Sequence, residues 1–246
     1  SLQYGTQFGG LINFVLKEPP NKKIDAVIRN TIGSNNQYTN FTSIGGKKNK
    51  FSFYTFYNHK RGDGFRNNSN YKSNNVYVHL KKNLSNKSEL SGEVTYMNYL
   101  AKQAGGLSDR MFINNPMQSN RSRNWFELDW LLYNFKFKHR FNEKTILSFS
   151  LFGLDAERNT VGFRTNRVDQ VDPLTERDLI RGNFNNHGLE LKILRKYKIN
   201  EKKGTFVLGG KYYRSKSLSK QGPGSEGSDA DFNIYLVEFT NYSIKS

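Results

Sequence analysis

The sequence predicts an all-β chain that crosses a membrane as part of a transmembrane antiparallel β-barrel. Three observations carry that prediction. Apolar residues recur with a period of two, and tight polar turns alternate with long polar segments. Aromatic residues also make up 14% of the chain (19 Phe and 14 Tyr), although only 35% of its 246 residues are apolar and the mean hydropathy is -0.76. A disordered chain would be poor in aromatic residues, and a soluble domain would carry more Leu, Val and Ala in place of Asn, Ser and Lys. A membrane barrel needs apolar side chains only on the lipid-facing half of each strand, with aromatic girdles at the strand ends.

After a first stretch (1–20) that does not alternate, strands are expected at 24–34, 38–47, 51–61, 75–84, 89–101, 125–141, 145–160, 184–197, 205–216 and 232–244. Val76, Val78 and Leu80 face one way and Tyr77, His79 and Lys81 the other, as a half-buried strand requires. Leu90, Gly92, Val94 and Tyr96 alternate with Ser91, Glu93 and Thr95; Tyr133, Phe135 and Phe137 alternate with Asn134, Lys136 and Lys138. The same holds for Leu147, Phe149 and Leu151 against Ser148 and Ser150, and for Leu189, Leu191 and Ile193 against Glu190 and Lys192. Phe206, Leu208 and Tyr212 alternate with Val207 and Lys211. Helical periodicity is almost wholly missing.

The connections fall into two kinds. Gly46-Lys47-Lys48-Asn49-Lys50, Ser85-Asn86-Lys87-Ser88, Asn142-Glu143-Lys144 and Asn200-Glu201-Lys202-Lys203-Gly204 are tight turns, whereas 61–74, 101–124, 161–183 and 217–231 are long polar segments. Placing every short turn at one end has no purpose in a soluble sandwich. It is the arrangement of outer-membrane barrels, with short periplasmic turns and long extracellular loops. Several strands exceed the 3–10 residues usual in globular proteins.

Composition excludes other classes. No run of 18 or more apolar residues exists, so no transmembrane helix is expected. Cysteine is absent, which removes disulfides and thiolate metal sites. The first residues, Ser1-Leu2-Gln3-Tyr4, have no basic-then-apolar leader, and the chain is expected to begin inside a longer precursor. The net charge of +17 raises nucleic acid as a partner. No compact motif collects the cations, however; many sit in the short turns, and the remainder can line a lumen that attracts anions. No nucleic-acid partner is expected.

The first 20 residues carry a resemblance. Tyr4-Gly5, then Gly9-Gly10, then Leu11-Ile12-Asn13-Phe14-Val15 and Lys17 before Pro19 resembles the end of the plug domain of TonB-dependent outer-membrane receptors, just before the first barrel strand. Paired glycines permit positive φ and close backbone approach, and the Pro19-Pro20 pair breaks strand pairing. Arg61-Gly62-Asp63-Gly64-Phe65-Arg66, Gly105-Gly106-Leu107 and Gln118 through Phe126 are similar to the ferric dicitrate receptor type of Bacteroidetes. The Arg61-Gly62-Asp63 triplet also spells an integrin-binding signal, but three residues recur by chance.

The resemblance implies a division into the C-terminal end of a plug (1–20, with Tyr4, Gly5, Gly9, Gly10 and Asn13 as its motif) and the N-terminal part of a 22-stranded barrel (21–246). It implies a cell outer-membrane location among lipid and lipopolysaccharide, and uptake of a ferric chelate, ferric citrate or a related siderophore. The uptake would be driven by the TonB complex through a segment upstream of Ser1. Iron enters as part of the substrate, and no cofactor is expected. A fragment of this kind is not expected to fold alone, because an open sheet leaves two edges that lipid cannot satisfy.

Chemistry suggests where an anionic chelate would bind. Carboxylates are recognised by Arg and Lys with neutral donors around them, and Arg110, Gln118, Arg121, Arg123 and Asn124 fall on one long segment with Arg158, Arg164 and Arg167 flanking the next. The four His residues (His59, His79, His139 and His187) show no metal-site spacing. No nucleophile elbow, phosphate loop or nucleotide fingerprint occurs, so no enzyme is expected. The alternatives are a non-transporting adhesin, a passive porin, or a barrel enzyme with a Ser or Asp beside a lumenal His.

Overall fold

A computed structural model describes residues 14–234 and 240–245. The plug motif residues Tyr4, Gly5, Gly9, Gly10 and Asn13 lie outside that range. Ten antiparallel strands follow one another in chain order as a single meander: β1 (Asp25–Ile32), β2 (Tyr38–Lys48), β3 (Phe51–Gly62), β4 (Tyr71–Asn83), β5 (Ser88–Lys102), β6 (Trp125–Arg140), β7 (Thr145–Gly162), β8 (Asp178–Ile199), β9 (Lys202–Pro223) and β10 (Thr240–Lys245). Pairing is in register across every hairpin, so an alternating side-chain pattern in one strand continues into its neighbours.

Residues 14–18 identify the inner face of the sheet. Phe14, Val15, Leu16 and Glu18 line one cavity with His79, Glu93, Lys136, Ser150, Phe152 and Glu190. Lys17 sits over the Tyr54 ring at 4.7 Å, and Glu18 pairs with Lys81 at 3.6 Å. Tyr54, Tyr77 and His79 are buried on this side.

The opposite face changes character along the strands. Near the short turns its rungs are apolar: Phe53–Leu80–Gly92–Phe135–Leu151–Leu189–Tyr212, and beside it Leu90–Phe137–Phe149–Leu191. Most of these side chains are exposed, Leu191 at 45%, as is Leu208 on the same face at 61%, as expected of residues turned to lipid. Further up, the same face turns polar in the rung Asn30–Asn40–His59–Asn74–Asn98–Asp129–Glu157–Asn183. Its members bond sideways: Asn40 donates to Asn30 (2.7 Å), His59 bonds Asn74 (2.8 Å) and Asn98 donates to Asp129 (2.7 Å). Since a tilted strand crosses the hydrocarbon in about 9–11 residues, the 22-residue strands β8 and β9 extend well beyond it. The polar rungs are the part that stands in water.

Several boundaries differ from the sequence expectation. β8 begins at Asp178 and β9 runs to Pro223, which takes residues out of the segments expected as loops. Polar residues dominate these strand tops, so the alternation that marks them is weak; Leu179 and Val161, paired across β7 and β8 and both buried, hold them in the sheet. A six-residue helix, α1 (Asp109–Asn114), interrupts the loop between β5 and β6, with the Ser108 hydroxyl accepting from the Met111 N–H as its N-cap. The β8–β9 connection is a two-residue turn with Asn200 and Glu201 at φ 44° and 67°, the left-handed pair that matches strand twist.

The membrane placement predicts a depth-dependent cost. In the full-length protein refolded into vesicles, Leu191→Arg is expected to destabilise by about 2–4 kcal/mol, and Asn185→Arg, on the same face above the apolar band, by at most about 1 kcal/mol. Equal costs in urea titrations would show that the band is misplaced.

Candidate functional site

The upper inner face and the loops above it form the candidate site. Two adjacent inner rungs carry it: Arg29–Phe41–Asn58–Asn75–Met97–Trp130–Ala156–Phe184, and Lys60–Ser73–Tyr99–Leu128–Arg158. Cations and aromatic rings are interleaved here; the Arg158 guanidinium lies 5.8 Å from the Phe184 ring centre. The side-chain oxygens of Asn58 and Asn75 and the Trp130 indole nitrogen are buried in this layer without a hydrogen-bond partner. Below these rungs the inner face is less charged (Phe56–Tyr77–Thr95–Leu132–Leu154), and lower still it alternates Lys and Ser (Lys81–Ser91–Lys136–Ser150–Glu190–Lys211).

The long loops are tied together by arginines. Arg123 grips Asp172 through Nε (2.9 Å) and Nη2 (2.5 Å), and its Nη1 donates to the carbonyls of Thr175 (3.0 Å) and Glu226 (2.7 Å). Arg177, 1% exposed, donates to the Arg123, Ser225 and Asp229 carbonyls. Arg121 donates to the carbonyls of Asn120, Gln170 and Val168 and stacks on Phe163 at 5.2 Å. Arg66 fixes the β3–β4 loop by donating to the carbonyls of Gly105 and Gln118. The Trp125 indole N–H donates to the Ser228 carbonyl at 2.8 Å, which closes the β9–β10 loop over the sheet end.

Burial alone would raise the Asp172 pKa. The Arg123 bonds, the Leu174 N–H and the charges of Arg123 and Arg121 outweigh it and hold the carboxyl below its ordinary value. Burial draws Arg177 down from the usual guanidinium value, with Asp229 opposing.

The residues expected to bind ligand therefore occupy different environments. Arg121 and Arg123 are 3% and 5% exposed, with their N–H groups turned to loop carbonyls and Asp172. Asn124 exchanges two bonds with the Phe163 backbone, at 3.1 and 3.0 Å. Gln118 donates to the Met111 carbonyl. Arg164 reaches Gln221, whose amide, turned oxygen inward, accepts from both terminal nitrogens at 3.1 and 3.2 Å. Arg110 stands exposed on α1. Sequence reasoning missed Arg177, whose role depends on a loop contact that no local pattern encodes. It also missed Arg29 and Lys60, which extending the alternation of β1 and β3 would have placed on the inner face.

Of the four His residues, only His79 faces inward; His59, His139 and His187 lie on three different outer rungs. No group of three or more metal-ligating side chains gathers among the described residues. Arg61 and Gly62 end β3 and Asp63 follows them, its carboxylate accepting from Asn36 at 2.5 Å.

The loop clamp yields a pH prediction. A carboxyl held below its ordinary value adds stability that is present above about pH 4 and is lost as pH falls through the folded pKa. Trp125 emission, read in a Trp130→Phe background of the full-length protein, is expected to stay constant from pH 8 to 5 and to shift to the red below about pH 4. Arg123→Ala is expected to produce the shifted spectrum at pH 7, since removing one partner of a buried pair costs about 3–5 kcal/mol. An unchanged spectrum in that variant would show that the loops are held some other way.

No protein-family model and no curated protein matches the sequence. In structure, the chain is similar to the unliganded ferric citrate transporter FecA, with 16% identity and a TM-score of 0.80 over 96% of this chain and 35% of that one. It is also similar to the ferripyoverdine receptor of the outer membrane of Pseudomonas aeruginosa (11%, 0.73, 93% of this chain and 34% of that one). A third likeness is to BauA, the ferric preacinetobactin receptor from Acinetobacter baumannii (10%, 0.69, 92% and 37%). The chain spans about a third of the length of each. At these identities the likeness establishes the fold: the chain has the architecture of a partial β-barrel of the TonB-dependent receptor type.

Proposed function

We propose that the protein of which this chain is part takes up a ferric chelate across the outer membrane, with energy supplied through the TonB complex. In this reading residues 1–20 end a plug and residues 21–246 begin the barrel. The observation that supports it most is the cation and aromatic lining of the upper inner face, Arg29, Lys60 and Arg158 among Tyr99, Trp130 and Phe184, beneath loops fastened to one another. Such a surface suits a chelate with carboxylate or catecholate oxygens, because charge-assisted bonds from guanidinium and ammonium groups are the strong ones. Ferric citrate or a related anionic siderophore is the substrate proposed.

Within this reading the candidate ligand residues divide by role. Arg110, exposed on α1, and Arg158 on the wall would meet the chelate. Gln118, Arg121, Arg123, Asn124 and Arg164 shape the loops that present it. The chain's fold is that of solved proteins described as a transporter and receptors, and the scattered His residues give an enzyme reading nothing to build on. An adhesin or a passive porin would have no use for a plug segment against the inner wall.

The test is growth of a strain deleted for the full-length gene on iron supplied only as ferric citrate, with 55Fe uptake measured alongside. A specific loss restored by the gene supports the proposal. Arg158→Ala is then expected to weaken chelate binding about tenfold, the loss of one charge-assisted contact of about 1.4 kcal/mol. If the deletion strain takes up ferric citrate and a panel of ferric siderophores as fast as its parent, with no second receptor present, the proposal fails.

A further inference from the structure

The net charge of +17 is not spread evenly over the chain. On the outer face the polar upper rungs mix acidic and basic residues: Arg181 pairs with Glu157 at 3.0 Å, and Asp129 accepts from Asn98 at 2.7 Å. At the short-turn end the outer face is not balanced. Lys48, Phe51 and Lys82 are neighbours in one rung that continues directly into the apolar residues Leu90, Phe137 and Phe149. Four strands away the motif recurs: Arg195 lies opposite Phe206 in β9, beside Thr145 of β7, and Lys202 faces the same way from the foot of β9. Lys144 in the β6–β7 turn lies alongside, its carbonyl accepting from the Lys196 N–H at 2.8 Å. None of these five cations forms an ion pair among the described residues. The aromatic and aliphatic side chains between them are exposed, Phe51 at 43% and Phe206 at 55%.

We propose that this end of the barrel is a binding collar for the headgroups of anionic glycerophospholipids in the leaflet on the short-turn side. At the short-turn edge of the apolar band, aromatic rings and cations without an ion pair stand side by side in the same rungs, the residue types that suit the border between acyl chain and phosphate. Aromatic rings settle at the interface. Lys and Arg stems lie along the apolar surface and extend their charges to the headgroup level, where an anionic surface attracts each by about 1 kcal/mol. A zwitterionic headgroup presents no net charge to this cluster, so the collar discriminates by lipid charge. The inference rests on the barrel spanning a membrane, and it is independent of what the protein transports.

The experiment is electron spin resonance of spin-labelled lipids on the full-length protein reconstituted in phosphatidylcholine vesicles. The ratio of association constants for labelled phosphatidylglycerol and labelled phosphatidylcholine is the readout. A ratio of about five is expected at low salt, the equivalent of about 1 kcal/mol, falling toward one at high salt. In the variant Lys48→Gln, Lys82→Gln, Lys144→Gln, Arg195→Gln, Lys202→Gln the ratio is expected to fall to one, whereas Arg61→Gln, Lys72→Gln at the long-loop end leaves it as in the wild type. A wild-type ratio of one, a collar variant that keeps its selectivity, or a loss of selectivity in the long-loop variant would each overturn the proposal. Folding of every variant is checked by heat-modifiable migration on gels, and single-site Lys82→Gln and Arg195→Gln replace the collar variant if it fails to fold, each expected to lower the ratio.

Discussion

Every other property of this sheet depends on its unbroken, in-register pairing. Within a bilayer an unpaired N–H or C=O has no water to turn to, so a strand there must be bonded on both sides along its length. The meander meets that demand for β2 through β8 from each strand to its sequence neighbours, without a crossover, while β10 covers only Lys216–Gln221 of β9 among the described residues. Register then decides the chemistry, because a slip of one residue would carry Leu189 and Leu191 inside and Glu190 and Lys192 into lipid. The two-residue turns at Asn49-Lys50 and Asn200-Glu201 leave little freedom for such a slip.

Given that register, the two faces are each built in tiers. Outside, the apolar tier sits between a cationic foot and a polar top whose side chains bond one another. Inside, lysines and serines at the bottom give way to aromatic and aliphatic residues, and then to arginine, lysine and aromatic rings beneath the loops. The loops themselves are not loosely hung. Arg66, Arg121, Arg123 and Arg177 spend their donors on loop carbonyls, which otherwise would have to be left to water. A guanidinium suits this task because its N–H groups diverge in one plane and can reach several chain segments at once.

How much of this could be read from the residues follows from what each layer requires. Ten strands and four tight turns were legible because lipid on one side and lumen on the other force a period of two, which the order of apolar and polar residues displays. The top of β9 was not legible, since Ser217, Ser219 and Gln221 face inward and Lys216 and Lys220 outward with little contrast in polarity, and at the top of β8 only Ile180 and Phe184 mark the inner face between Arg181, Asn183 and Asn185. The loop arginines were visible as chemistry but not as roles. Arg123 and Arg110 look alike in sequence, and only the approach of Asp172, 49 residues away, separates a clamp from an exposed cation.

That separation bears on how these loops would recognise an anion in the proposed function. A guanidinium already satisfied by a carboxylate and two carbonyls would have to break those bonds to take a ligand, exchanging one set of charge-assisted contacts for another with little net gain. An exposed cation, or one held only over an aromatic ring as Arg158 is over Phe184, loses far less when an anion arrives. In the proposed function the buried arginines would set the shape of the vestibule, and the less committed cations would supply its affinity. This division explains why the most buried loop arginines lie beside the long segments and not on the wall: shape has to be fixed where the chain has no sheet to fix it.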